Sequence, residues 1–173
     1  MSRFSIRPYR HEDVDAVYEA ASESIGHISP WMGWLTPAYT RADAEFWVNK
    51  AVTEWGIHSY EHLIIDETTG TIAGACGLNH LDRVNRFCNL GYWVRASYLR
   101  QGAARAGTLL LRDFGFSLAG MNRLEIVVAA GNAPSRKVAE SAEAIHEGIL
   151  RKRLCVGEIS HDSHMFAFIR EGI

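Results

Sequence analysis

The sequence lacks the features of a membrane or secreted protein. No apolar run approaches the roughly 20 residues that a membrane-spanning helix needs, and the amino terminus has no apolar stretch of the signal-peptide kind. Only three of the 173 residues are cysteine, namely Cys76, Cys88 and Cys155, an odd number at wide spacing. Such cysteines are typical of reduced, buried thiols. We therefore expect a cytoplasmic protein that does not bind a membrane.

Two common phosphate-binding motifs are also missing. The chain has no Gly-Lys-Ser/Thr segment and no Gly-x-Gly-x-x-Gly segment, which excludes a nucleotide-triphosphate loop and a dinucleotide fingerprint. The formal net charge is only −2, so the chain does not offer the long basic surface on which a nucleic acid is bound. We expect no nucleic-acid partner.

Acidic residues are absent from one window of the chain. The thirty residues between Asp82 and Asp113 contain no acid, and they contain six arginines: Arg83, Arg86, Arg95, Arg100, Arg105 and Arg112. The remainder carries 12 basic against 20 acidic residues, a balance of −8. A short basic window in an otherwise acidic protein favours a small anionic ligand over a long polyanion.

The middle of this window joins a strand pattern to a helix pattern through small residues. The segment 98–107 reads Tyr-Leu-Arg-Gln-Gly-Ala-Ala-Arg-Ala-Gly. A helix start whose backbone N–H groups are not covered by large side chains is well suited to bind phosphate. A packing role, in which these small residues only let the helix approach a sheet, is the simpler alternative.

Apolar periodicity predicts the order β-α-α-β-β-β-α-β-α-β-β, a mixed α/β sheet in one domain spanning residues 1–173. The strands are predicted at residues 4–7, 62–66, 71–78, 87–94, 124–129, 149–156 and 165–170. The helices are predicted from 11 to 25, from 44 to 55, from 103 to 118, and after 132–135. Thr40 and Asp43 resemble a capping box before the second helix, with Asp replacing the usual Glu or Gln.

Several short motifs follow one another along nearly the whole chain. They are Arg7-Pro8, Pro30-Trp31-Met32-Gly33-Trp34, Leu90-Gly91-Tyr92-Trp93-Val94, Gly102-Ala103-Ala104, Asn132-Ala133-Pro134-Ser135, Glu147-Gly148-Ile149-Leu150-Arg151 and His161-Asp162. In this order and spacing the sequence resembles the GCN5-related N-acetyltransferase (GNAT) superfamily, and within it the enzymes that acetylate the amino termini of ribosomal proteins. The resemblance implies a mostly antiparallel sheet of six or seven strands, flanked by helices and splayed between its two central strands.

The resemblance further implies acetyl-coenzyme A as donor and direct attack by a primary amine within a ternary complex. The residues implied to bind coenzyme A are Tyr92, Trp93, Val94, Arg100, Gln101, Gly102, Ala103, Ala104, Arg105, Asn132 and Ser135. The first three would pair with the pantetheine arm and the loop residues would hold the pyrophosphate. Ser135 is the implied catalytic residue, placed to protonate the departing thiolate; a simple helix-capping role is its alternative.

On the acceptor side, Trp31 and Trp34 are expected to line the opening, although both could equally cover the edge of the core. His80 and Asn89 are further candidates near the substrate, and His80 or Tyr92 could act as a substitute base. A strand would direct His161 and His164 to opposite faces, so we expect no metal site. Members of this group commonly pair through strands, and we expect a homodimer.

Three positions that handle protons in the family are occupied here by Asn89, Leu154 and Ala139. An N-acetyltransferase that acts on a protein amino terminus or a small amine is the first hypothesis. A non-catalytic acyl-coenzyme A-binding protein that has lost its acid and base groups is the alternative.

Overall fold

The computed structural model describes residues 2–117 and 119–171, and it contains one seven-stranded sheet in the order β1-β2-β3-β4-β5-β7-β6. All neighbouring strands are antiparallel except β4 and β5, which are parallel. The strands are β1 Phe4–Pro8, β2 Tyr60–Asp66, β3 Thr71–Asp82, β4 Phe87–Val94, β5 Arg123–Ala129, β6 Ile145–Val156 and β7 Ile159–Ile169.

Helices cover both faces of this sheet. They are α1 Val14–Ser22, α2 Ile25–Ile28, α3 Arg41–Thr53, α4 Ala103–Ser117 and α5 Ala133–Ser141, with single 3-10 turns at His11–Asp13 and Ala96–Tyr98. Helices α1 and α3 contact one face of the sheet, whereas α4 and α5 contact the other. No helix in the described part of the chain is long and apolar enough to cross a membrane.

The strands are apolar on both faces because each face is covered. On the face toward α1 and α3, Leu63 and Ala75 belong to one buried cluster, and Trp93 packs against it. On the face toward α4, Ile64 and Cys76 belong to a second cluster. Alternation of side chains along each strand produces this division, so a residue's position in a strand determines which face it serves.

The predicted order of strands and helices and the mixed α/β class are confirmed. The capping box is also present, because Thr40 and Asp43 exchange side-chain to backbone hydrogen bonds at the start of α3. The predicted first helix is wrong at its end, since Ile25 lies in the separate helix α2. Trp55 lies beyond the end of α3, and Leu118, predicted to continue α4, is outside the described residues. Cys76 and Cys88 are buried as expected, but Cys155 is exposed, so the expectation of a buried thiol is wrong at that position.

The predicted strands are too short at several ends. β3 continues four residues past Leu78, and β6 and β7 form a hairpin with β6 beginning at Ile145 and β7 at Ile159. The added residues of β6 are largely exposed because β6 is the edge of the sheet. An exposed edge strand shows no alternation of apolar and polar residues, so the start of β6 could not be predicted from periodicity.

Candidate active site

The sheet opens between its two central strands. β4 and β5 are paired only through Phe87–Asn89 and Arg123–Glu125. Beyond Asn89, β4 continues its pairing with β3 as far as Val94, while β5 continues its pairing with β7. Two strand segments that diverge in this way leave backbone N–H and C=O groups facing a gap, where an extended ligand could add as a strand. The splay predicted from the family resemblance is thus present.

Hydrogen bonds from His27 and Arg95 fix the end of β4 that borders this gap. The carbonyl of Val94 accepts a hydrogen bond from the ring of His27 in α2, with the Nε2 and oxygen atoms 2.9 Å apart. The amide of Arg95 donates to the carbonyl of Ala73. Of the three β4 residues predicted to bind the pantetheine arm, Val94 therefore has its carbonyl already engaged. Sequence analysis did not identify His27 in this role.

A small-residue loop leads from β4 into α4 and has the shape predicted for an anion site. Arg100 and Gly102 both lie in the left-handed region, with φ of 61° and 84°. A Cβ built on Gly102 meets no heavy atom within 4 Å, so the space above this residue is open. The amides of the first helical turn, from Ala103 onward, have no acceptor within the helix. They and the helix dipole favour a negatively charged group here.

The arginines of the basic window have different roles. The guanidinium of Arg95, which is 11% exposed, pairs with Glu19 of α1 and with Glu23, which directly follows that helix. The hydrogen bond from Arg95, together with bonds from Ser97, lowers the pKa of Glu23 to about 2. Arg83 donates to the carbonyl of Gly56. Both are therefore structural, contrary to the interpretation that the whole window serves a ligand. Arg100 and Arg105 remain beside the loop, both exposed.

The side chains of this loop are partly engaged. The Nε atom of Arg105 donates to the carbonyl of Ser141, at 2.7 Å, and so links the start of α4 to the end of α5. Gln101 accepts from Arg3 and donates to the carbonyl of Ser97. These bonds stabilise the loop and engage the side chains of Gln101 and Arg105.

Ser135 and Tyr92 form a hydroxyl pair on the face of α4 and α5. The hydroxyl of Tyr92 donates to the carbonyl of Ser135, at 2.9 Å, and lies 3.1 Å from its Oγ atom. Asn132 caps α5 by accepting a bond from the amide of Ser135, so the capping role considered for the serine belongs to the asparagine. The Ser135 hydroxyl is consequently available for another partner.

Burial raises the pKa of Tyr92 to about 12, and the bond to Ser135 opposes this only in part. The phenol therefore stays protonated at neutral pH. It is poorly suited to the base role considered for it, and better suited to donating a hydrogen bond.

A cavity of about 400 Å³ opens on the other face of the sheet, between the strands and helices α1 and α3. Its walls are mostly aromatic and apolar, and include Tyr9, Met32, Trp34, Tyr39, Phe46, Trp47, Gly77, Gly91 and Trp93. Rings with large faces attract both apolar groups and cations. The cavity reaches β4 at Gly91 and Trp93, beside the start of the splay.

One carboxylate lies at the floor of this cavity. Glu61 of β2 is 8% exposed, and its carboxylate occupies the space that a Cβ on Gly77 would need. Burial raises its pKa to about 7, while an interaction with Asn79 and the charge of Lys50 act in the opposite direction. A carboxylate that titrates near neutrality within a cavity is a candidate for proton transfer.

Asn89 is the last residue of β4 that pairs with β5, and its side chain lies on the cavity side of the sheet. Its amide donates to the Oδ1 atom of Asn79, at 2.9 Å, across the paired strands β3 and β4. Glu61, Asn79 and Asn89 thus form a polar cluster on the cavity side of the sheet. The family's carboxylate on β4 is absent, and the carboxylate present instead comes from β2.

The other predicted acceptor residues are dispersed. Trp34 lines the cavity and lies 6.0 Å from Trp93 between ring centroids. Trp31 lies instead against Gly131 and His161, at the far side of the gap. His80 is exposed at the irregular end of β3 and is not among the described residues that line the cavity.

The two remaining positions at which the family handles protons are structural here. Ala139 is fully buried in α5, and Leu154 lies in β6 opposite His161. His164 faces His146, with ring nitrogens 3.0 Å apart, and not His161.

The comparisons with known proteins agree with this geometry. Residues 3–144 match the model of the family described as "Acetyltransferase (GNAT) domain". YdaF of Bacillus subtilis (strain 168), provisionally named a ribosomal N-acetyltransferase, is 32% identical over 101 residues, which is 58% of this chain and 55% of that protein. The chain spans between 55% and 60% of the length of the first two curated relatives that it matches.

Solved structures share the fold over almost the whole chain. The microcin C7 self-immunity acetyltransferase MccE, solved with acetyl-CoA and AMP, has a TM-score of 0.88 at 17% identity and covers 98% of this chain and 94% of that one. RimL, the ribosomal L7/L12 α-N-protein acetyltransferase solved with coenzyme A, has a TM-score of 0.87 at 18% identity and covers 98% and 95%. Because the family model matches most of the length of the chain, the chain belongs to the GNAT acetyltransferase family.

Proposed function

We propose that this protein is an acetyl-CoA-dependent N-acetyltransferase. It transfers the acetyl group to a primary amine, either a protein amino-terminal α-amine or a small amine, by direct attack in a ternary complex. The observation that carries this proposal is the opening between β4 and β5 directly beside the exposed amides at the start of α4. The family membership and the ribosomal-protein acetyltransferase names among the relatives support it.

The chain fits acetyl-CoA at both ends of that ligand. The loop of Arg100, Gln101, Gly102, Ala103, Ala104 and Arg105 would bind the pyrophosphate through backbone amides, and the open space above Gly102 permits close approach. The free edge of β4 at Tyr92 and Trp93 would pair with the pantetheine amides, and Asn132 and Ser135 bound the gap from α5. When bound, the thioester supplies the activated acetyl group.

The backbone of β4 would contribute the electrostatic part of catalysis. Amide N–H groups that point into the gap are fixed by the pairing of β4 with β3, so they do not have to reorient during the reaction. Donors of this kind stabilise the negative charge that develops on a carbonyl oxygen, which is usually the largest single contribution.

The Ser135 and Tyr92 hydroxyls would serve the departing sulfur. Their mutual contact on the far side of the gap from the cavity gives the sulfur a proton donor and gives that donor a partner. A thiol has an ordinary pKa near 8.5, so protonation of the thiolate is favourable at neutral pH and a weak acid suffices.

The acceptor would enter from the cavity on the side of α1 and α3. An α-amine, with a pKa of about 8, is favoured over a lysine ε-amine near 10.4, because less free energy is needed to deprotonate it at neutral pH. The aromatic walls, including Trp34, suit an amine that carries an apolar neighbour.

The second hypothesis is a non-catalytic acyl-CoA-binding protein. The replacement of the family's proton-handling residues by Asn89, Leu154 and Ala139 favours it, since Ala139 is fully buried and offers no polar group. Both hypotheses predict binding of acetyl-CoA, and they differ only in turnover.

The decisive experiment combines calorimetry with a thiol-release assay. The protein is titrated with acetyl-CoA and then incubated with it and either tri-alanine amide or Nα-acetyl-lysine amide. We expect saturable binding, release of free thiol with the tripeptide, and slower release with the lysine derivative. Binding without thiol release from either amine would favour the non-catalytic hypothesis, and no binding would overturn both.

Three broader proposals accompany this function. The chain acts as one N-acetyltransferase domain over residues 1–173, in the cytoplasm, as the three free cysteines suggest for a reducing environment. It forms a homodimer, a proposal supported by the exposed Ile145, Ile149 and Leu150 on edge strand β6. Light scattering at several concentrations tests the last point.

A further inference from the structure

The buried carboxylate of Glu61 lies on the acceptor side of the sheet for reasons of strand register. Glu61 pairs with Gly77, and Gly77 pairs with Gly91, so the three residues form one row across β2, β3 and β4. Directly paired residues direct their side chains to the same face, which here is the face of the cavity. Glu61 is the only member of this row with a side chain.

The two glycines leave a lane from this carboxylate to the edge of the splay. The carboxylate lies over Gly77, where a methyl group would collide with it. Among the described residues, a Cβ on Gly91 would have one heavy atom within 4 Å, the side-chain Nδ2 of Asn89 at 3.8 Å. Paired Cα atoms are about 4.5–5.5 Å apart, so a carboxylate over Gly77 is roughly 5 Å from Gly91. A nitrogen atom placed between them would contact both the carboxylate and a group in the gap.

The surroundings keep this carboxylate close to its ionisation point. The polar and titratable groups that face it are Lys50 of α3, Glu54 directly after that helix, Tyr9 and Asn79, while Asp43 and Tyr39 line the same cavity. Burial is the largest effect and raises the pKa of Glu61 to about 7, whereas the charge of Lys50 and the bond to Asn79 lower it. A base that titrates there is matched to an amine with a pKa of about 8.

We propose that Glu61 is the catalytic base of this protein and receives a proton from the acceptor amine over the lane formed by Gly77 and Gly91. This inference rests on the proposed N-acetyltransferase function. It assigns the missing proton acceptor to β2, one strand beyond β3, rather than to β4.

Proton transfer to Glu61 prepares the amine for attack on the thioester. An N–H bond of the acceptor ammonium breaks and its proton forms an O–H bond with the Glu61 carboxylate, so the nitrogen keeps its electron pair. That pair forms the C–N bond with the acetyl carbon, and the C–S bond breaks with its electrons moving to sulfur. The nitrogen then loses a second proton and the departing sulfur gains one proton, so these two changes cancel. Glu61 passes its own proton to water.

The test compares wild-type protein with Glu61→Gln, which keeps the shape of the side chain, and with Glu67→Gln directly after the same strand, where the side chain is exposed. For each we would measure kcat/KM for tri-alanine amide from pH 5.5 to 9, and the acetyl-CoA dissociation constant by calorimetry. We expect Glu61→Gln to lower kcat/KM by about 10²–10⁴-fold while its acetyl-CoA affinity stays within about twofold of wild type.

The pH profile separates catalysis from structure. Wild-type kcat/KM should fall below about pH 7, as Glu61 becomes protonated, and Glu67→Gln should behave in the same way. In Glu61→Gln the acid limb should move toward the pKa of the peptide amine, about 8. An active Glu61→Gln with the wild-type profile would overturn the proposal and leave the acetyltransferase function standing. A wild-type protein that binds acetyl-CoA but never releases thiol would overturn both.

Discussion

At the residue scale, the hydroxyl pair of Tyr92 and Ser135 gives the clearest prediction. Ser135→Ala removes the hydroxyl and keeps the cap of α5, because that cap is the side chain of Asn132. Tyr92→Phe keeps the ring that packs in the core and removes only the hydroxyl. We expect each variant to lower kcat by about 10- to 100-fold, since Ser135→Ala removes the proton donor for the thiolate and Tyr92→Phe removes the hydroxyl partner of that donor.

The measurement is steady-state thiol release with calorimetric binding of acetyl-CoA. If the pair acts as one unit, the double variant should lose little more than either single variant. Ser117→Ala removes an exposed hydroxyl that donates to carbonyls of its own helix, so this variant is the control and should match wild type. Additive losses in the double variant would show that the two hydroxyls act separately.

Some residues of the candidate site could be identified from the sequence alone, and others could not. Ser135 and Asn132 were identifiable because they stand in a short local motif that the family resemblance covers. Glu61 was not, because nothing near it in the sequence distinguishes it from other strand glutamates. Its significance comes from Gly77, sixteen positions away, and from a pairing register that appears only in the folded sheet.

At the element scale, the loop into α4 predicts a separation of binding from stability. Gly102 has φ of 84° and faces open space, so Gly102→Ala introduces backbone strain and a methyl group where the pyrophosphate would approach. Strain of this kind costs about 1 kcal/mol. Gly120, beyond the other end of α4, has φ of 66°, and a Cβ there would meet no heavy atom of the described residues within 4 Å, so Gly120→Ala is a matched control.

Both variants should lose about 2–4 °C in Tm, the change that about 1 kcal/mol produces in a protein of this size. Only Gly102→Ala should weaken acetyl-CoA binding, by about tenfold or more in calorimetry, because only this residue borders the proposed phosphate site. Equal acetyl-CoA affinity in the two variants would remove the loop from the binding site.

Element boundaries were predictable where a local signal exists. Asn132 with the following proline marked α5, and Thr40 with Asp43 marked α3, because capping is chemistry within four residues. Strand β6 carries no such signal, because its residues are largely exposed to solvent and it is formed by pairing with β7, which is not visible in the local sequence. The structural role of Arg95 likewise could not be predicted, because its partners Glu19 and Glu23 lie more than 70 positions earlier in the chain and meet it only in the fold.

At the scale of the whole molecule, two neighbouring residues of β2 oppose each other in their effect on stability. Glu61 faces the cavity, and His62 faces the rings of Trp55 and Phe114 on the other side of the sheet. Burial raises the pKa of Glu61 to about 7 and lowers the pKa of His62 to about 4. Each residue is less than a tenth exposed, so solvent does little to weaken these effects.

The signs of the two contributions differ. Between about pH 7 and 4.5 the folded protein takes up a proton at Glu61 that the unfolded chain does not, so this residue favours folding increasingly as the pH falls. Between about pH 6.5 and 4 the unfolded chain takes up a proton at His62 that the folded protein does not, so this residue opposes folding increasingly as the pH falls. Each effect is on the order of 2–3 kcal/mol, and together they nearly cancel.

We therefore expect the Tm of the wild type to change little between pH 7.5 and 4.5, and two variants to depart from it in opposite directions. Glu61→Gln keeps only the histidine effect, so its Tm should fall by about 5–10 °C as the pH is lowered over this range. His62→Leu keeps only the glutamate effect, so its Tm should rise as the pH is lowered. His58→Leu, an exposed position before β2, should follow the wild type. Comparing slopes against pH removes any packing cost that a substitution imposes at every pH, and parallel slopes in all four proteins would show that neither side chain titrates away from its ordinary range.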